Sequence, residues 1–108
     1  MLLKDGVAMI KILEIIELRA VKKNKQDILG IIEKLHGDQI TDRKIAIKIY
    51  SHSSIETDYS IHLYYEKETD ENLGTELGYK LTTDLKEFGL VNHNIWIDKI
   101  TGGKNNEK

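Results

Sequence analysis

The chain predicts an α+β fold in the order strand, helix, strand, strand, helix, strand, and three observations carry that prediction. Two segments, residues 24–37 and 70–89, repeat apolar residues at helical spacing. Four others, residues 9–21, 44–51, 59–66 and 91–100, carry the apolar content and period-two patterning of strands. A turn-rich stretch separates the second and third strands, so the middle pair reads as a hairpin.

The first segment, MIKILEIIELRAV, places Ile10, Ile12, Ile16 and Leu18 on one parity and Met9, Leu13 and Ile15 on the other. A strand that covers one core alternates apolar with polar, so apolar residues on both parities predict a central strand covered on both faces. Glu14, Glu17 and Arg19 dilute the pattern. Asn24 is placed to cap the first helix, with Asp27 three residues on, and Ile28, Ile31, Ile32 and Leu35 then recur up to Gly37. In the hairpin, Ile45, Ile47 and Ile49 alternate with Ala46, Lys48 and Tyr50. Beyond Ser53, Ser54, Glu56, Thr57 and Asp58, Tyr59, Ile61, Leu63 and Tyr65 alternate with Ser60, His62, Tyr64 and Glu66. Asp70 or Asn72 is the expected cap of the second helix, whose stripe is Leu73, Leu77, Leu81, Leu85 and Phe88, and Gly89 is expected to stop it. The last strand sets Ile95 and Ile97 against Trp96, Asp98 and Ile100.

A length of 108 residues fits a single domain, expected over residues 9–100, with an N-terminal extension at 1–8 and a solvated tail at 101–108. With 40% apolar and 31% charged residues the chain has the balance of an ordinary globular protein. A net charge of −2 lacks the basic excess that draws proteins onto phosphate backbones, so nucleic acid is not expected as a partner. The absence of cysteine excludes disulfides, thiolate chemistry and Cys-ligated metals. Residues 1–9 lack the apolar core of a secretory signal and no run of about 20 apolar residues occurs, so the expected location is the cytoplasm, with no membrane partner.

Two βαβ units with right-handed crossovers give a four-stranded antiparallel sheet with both helices on one face. The other face then carries Tyr50, Tyr64 and Trp96. Each large aromatic has about 150–250 Å² to bury. The expected cover is a second copy of the chain, a homodimer.

This order, the apolar second face and the segments TDYSIHLYYE and LKEFGLVNHNIWIDKI resemble the dimeric α+β barrel superfamily, in which two ferredoxin-like protomers pack sheet against sheet. The superfamily includes antibiotic-biosynthesis-type monooxygenases and stress-responsive barrel proteins. The resemblance implies small-molecule binding in a cavity between sheet and helices, and cofactor-independent oxygenation of an aromatic or quinone-like substrate. The haem-degrading and quinone-oxidising branches carry Trp on a middle strand, whereas Trp96 is on the last strand here, so none of their Asn, Trp and His roles is carried over. Other families of this topology need residues the chain lacks. RNA-recognition motifs need a basic, aromatic central strand, and 59–66 has no Lys or Arg. Acylphosphatases need an Arg in a Gly-rich loop where only Lys22 and Lys23 stand, and ferredoxins need cysteines. A non-enzymatic metabolite-binding regulatory or assembly module, as in ACT domains, remains the alternative.

Several residues are candidates for chemistry. His62, Tyr64 and Glu66 share a strand face with Lys48 and Tyr50 across the hairpin. They form either a polar patch that binds an acid or donates a proton, with His62 and Tyr64 as catalytic candidates, or the dimer interface, with Tyr50, His62, Tyr64 and Trp96 in it, and His93 of the last strand is a further catalytic candidate. Gly74 and Gly78 lie one helical turn apart in the expected second helix and leave either space for a flat ligand or close backbone packing. His93 and Trp96 fall on opposite parities and so on opposite faces. His36 is expected at a helix C-terminus and His52 near the hairpin turn. No metal-ligand spacing, phosphate cradle, nucleophile elbow or dinucleotide fingerprint is present, and no cofactor is expected.

Overall fold

The longest strand, β1 (Ile10–Ala20), is the spine of the molecule, and its even-numbered residues Ile12, Ile16, Leu18 and Ala20 are all buried. The computed structural model that shows this describes residues 3–4, 7–21, 25–38 and 45–99. Ahead of β1, Leu3–Lys4 pairs antiparallel with Val7–Ala8. After it come α1 (Lys25–Asp38), β2 (Ala46–Ser51), β3 (Asp58–Lys67), α2 (Glu76–Leu85) and β4 (Gly89–Ile97). The expected cap Asn24 and the expected tail at 101–108 lie outside the described residues.

The four long strands form one antiparallel sheet in the order β2-β3-β1-β4. This is an α+β, βαββαβ architecture consistent with a ferredoxin-like fold, and it places β1 in the interior of the sheet as its two-sided apolar pattern predicts. Ile28 and Ile32, four apart on α1, and Leu77, Leu81 and Leu85, at steps of four on α2, bury one stripe of each helix among residues from the sheet. Tyr59, Ile61, Leu63 and Tyr65 of β3 complete that core, with Val91 and Ile95 of β4 packed against it.

Three expectations about α2 are corrected. Its cap is Thr75, not Asp70 or Asn72: the Thr75 hydroxyl accepts a hydrogen bond from Gly78 N at 2.9 Å, and the backbone is extended there. Leu73 and Gly74 therefore precede the helix. Gly74 sits at φ +102° and Asn72 at φ 54°, left-handed conformations that a right-handed helix cannot include. At the other end Gly89 does not stop the helix but opens β4 opposite Ala20, with residues 86–88 forming a turn between them.

Candidate functional site

The pleat divides the sheet into two unlike surfaces. On the helix side, β1 places Glu14 in the middle of the apolar row, and its side chain is wholly buried. A carboxylate there is sustained only by donors aimed at it. Thr75 supplies two to Oε1, its backbone N–H and its hydroxyl, both at 3.0 Å, while Nε2 of His93 meets Oε2 at 2.5 Å. The cap of α2 and a histidine of β4 thus converge on one buried acid.

Gly78 makes room for that acid, because a Cβ at position 78 would lie 1.9 Å from Oε2 of Glu14. Of the two readings of the glycines, ligand space or close packing, the gap at Gly78 is filled by this carboxylate. Gly74 is not in the helix at all, and its amide donates to the Tyr65 hydroxyl at 3.3 Å. Burial, and next the Glu14 carboxylate beside it, push the Tyr65 phenol up from 10.0 to about 12. Tyr79 crosses the His93 ring edge-on at a centroid distance of 5.1 Å.

The other surface carries no helix among the described residues, and the register arranges it in rows. One row runs Ala46, Tyr64, Leu13, Trp96 from edge to edge, the next Lys48, His62, Ile15, Asn94, and the third Tyr50, Ser60, Glu17, Asn92. Trp96 is 61% exposed and Tyr64 37%. Across the three rows, His62 lies between Ser60 Oγ, 2.9 Å from its Nε2, and the Tyr64 hydroxyl, 3.4 Å from its Nδ1. Its ring centroid is 4.8 Å from that of Tyr50. One imidazole nitrogen of the neutral ring must donate and the other accept, so the three side chains form a continuous polar chain.

Beyond the third row a groove of about 390 Å³ opens, lined among others by Glu17, Arg19, Tyr50, His52, Asp58 and Asn92. Arg19, whose side chain is largely exposed, approaches the half-buried Asp58 at 3.5 Å, and solvent screening at the arginine keeps the pair's contribution to stability small. His52 shapes the adjoining turn: its Nδ1 accepts from the amides of Ser54 and Ile55, both at 3.0 Å. The groove combines hydrogen-bonding and charged groups of both signs on the open surface.

The structure therefore brings Tyr50, His62, Tyr64 and Trp96 onto one face and keeps His93 on the other, as their parities predict. Glu66 shares the open face, directly opposite Lys11. His36 falls within α1. Sequence reasoning missed the role of Glu14, which it counted as an interruption of the strand pattern. Its parity, shared with Ile12 and Ile16, was the available signal. Thr75, Tyr65 and the groove residues Glu17, Arg19 and Asp58 had no signal of comparable strength. Among the described residues no group of three or more His, Cys, Asp or Glu side chains is placed to hold a metal ion, and no helix is long and apolar enough to cross a membrane. Compared with known proteins, the chain matches no protein-family model and no curated protein.

Proposed function

We propose that this protein is a self-associating metabolite-binding module of the dimeric α+β barrel type, in which two copies meet through their helix-free sheet faces and a small polar ligand occupies the groove beside that contact. The observation that carries the reading is the row in which half-buried Leu13 lies between exposed Tyr64 and Trp96, with half-buried Ile15 in the row behind it. Aromatic side chains with a polar tip are enriched at protein interfaces because they bury area and still satisfy that tip. Strands at sheet spacing give this face about 500 Å² before side-chain relief is counted. That approaches the roughly 800 Å² per partner of a standard stable interface.

The position of the groove favours a binding module over an enzyme with an internal cavity. Beneath α2 the room left by Gly78 holds the Glu14 carboxylate, whereas the groove lies on the open face, where a second copy would adjoin it. Native mass spectrometry of the protein isolated from its source tests this reading. The expected spectrum contains a dimer with a small molecule that is lost on denaturation and is missing from a Tyr50→Ala, Asn92→Ala variant. A dimer that carries no small molecule from its source would contradict the ligand part of the proposal.

A second reading, cofactor-independent oxygenation of an aromatic or quinone-like substrate, rests on the Ser60, His62 and Tyr64 chain, which could relay a proton. It predicts oxygen uptake with an added quinol that His62→Ala removes. It ranks second because both His62 ring nitrogens are already engaged by neighbouring side chains.

A further inference from the structure

We infer that Glu17 of one protomer pairs with the partner's Lys48 across the sheet-to-sheet contact, and that this reciprocal ion pair fixes how the two copies dock. The inference rests on the dimer proposed above and is reached by accounting for every charge on the open face of the described residues. Arg19 is claimed by Asp58 at 3.5 Å. Lys11 and Glu66 stand directly opposite each other on neighbouring strands, where side chains lie about 4.5–5.5 Å apart at Cβ and opposite charges attract. Asp98, just past the end of β4, has interactions of its own.

One acid and one base remain. Glu17 lies in the interior strand between Ser60 and Asn92, neither of which carries charge. Lys48 lies on the edge strand opposite His62, and both Glu17 and Lys48 are exposed. Two strand spacings and one two-residue step separate them, about 12 Å between Cα atoms.

A covered face cannot leave Glu17 without a cation, because a charge stripped of water and left unpaired is strongly unfavourable. Among the described residues, Lys48 is the cation on this face with neither an ion pair nor an acid directly opposite it. A twofold axis running between the two positions sets each Glu17 against the partner's Lys48, so a single geometric relation satisfies both charges twice. The same arrangement rejects docking in which like charges meet, which makes the pair a determinant of specificity as well as of affinity.

Charge reversal tests this on the full chain, with sedimentation equilibrium as the readout. Glu17→Lys alone and Lys48→Glu alone should each weaken the homodimer by at least about tenfold, because each sets like charges against one another twice. The two variants mixed should form a heterodimer in preference to either homodimer, and the double variant in one chain should recover the wild-type association. Recovery on mixing also excludes misfolding as the cause of the single-variant losses. A wild-type dimer whose affinity neither reversal changes would overturn the ion pair and leave the dimer standing. A wild-type monomer would overturn the dimer itself, and the ion pair with it.

Discussion

Glu14 and Glu17 are three residues apart on the same strand and have opposite fates. Glu14 is wholly buried and accepts hydrogen bonds from Thr75 and His93, whereas Glu17 is exposed on the helix-free face and has uncharged neighbours on both flanking strands. The difference arises from parity alone, since an odd step along a strand reverses the direction of the side chain. What it teaches is that one sheet supports two kinds of electrostatics. On the helix side a charge is held by partners that the fold has already brought together. On the open side Glu17 stands in water with no charge opposite it on either flanking strand.

Breaking the helix-side arrangement should have the largest effect. Glu14→Ala leaves two Thr75 donors and His93 facing an empty buried position, and each buried polar group left without its partner costs about 1–3 kcal/mol. Urea denaturation should show that loss, and a cost below about 1 kcal/mol would mean that the carboxylate is not held as described.

Gly78→Ala comes next. Its methyl group would collide with Oε2 of Glu14, and overpacking of this kind costs about 1–3 kcal/mol. In the Glu14→Ala background the same substitution should cost markedly less, because the atom it strikes is gone. Equal costs in both backgrounds, measured as a double-mutant cycle, would separate the two residues.

A smaller effect sharpens the contrast by pH. The folded Tyr65 phenol ionises near 12 rather than 10.0, chiefly because it is buried and next because of the Glu14 carboxylate. An acid whose ionised form is disfavoured in the fold contributes stability that is intact below pH 10 and is lost as pH rises from 10 to 12. Tyrosinate absorbance during alkaline titration should therefore show a phenol ionising near 12 that disappears in a Tyr65→Phe variant, and Glu14→Gln should bring it back toward 10.0. A Tyr65 phenol that ionises at the ordinary 10.0 would argue against the burial and the neighbouring carboxylate described here.

Much of this division was legible before any coordinates. The parity of Trp96 against His93, the interior position of β1 and the shared face of His62 and Tyr64 all follow from period two. The start of α2 was not legible, because Leu73 continues the four-residue spacing of Leu77 and Leu81 into a stretch where the chain has left helical geometry at Asn72 and Gly74. Glu14 escaped for a different reason. A carboxylate in a strand reads as exposed, and the donors that make its burial tolerable come from Thr75 and His93, 61 and 79 residues along the chain. Convergence over such separations depends on tertiary packing, and local spacing does not encode it.

The central claim is that the open face is covered by a second copy of this chain. Sedimentation equilibrium of the full-length protein at micromolar concentration tests it most directly, alongside Trp96→Ser, which removes the most exposed ring without touching the helix-side core. The account predicts a dimer for the native chain and a loss of at least about 2 kcal/mol of association for the variant, with its circular dichroism unchanged. A native chain that sediments as a monomer would contradict it.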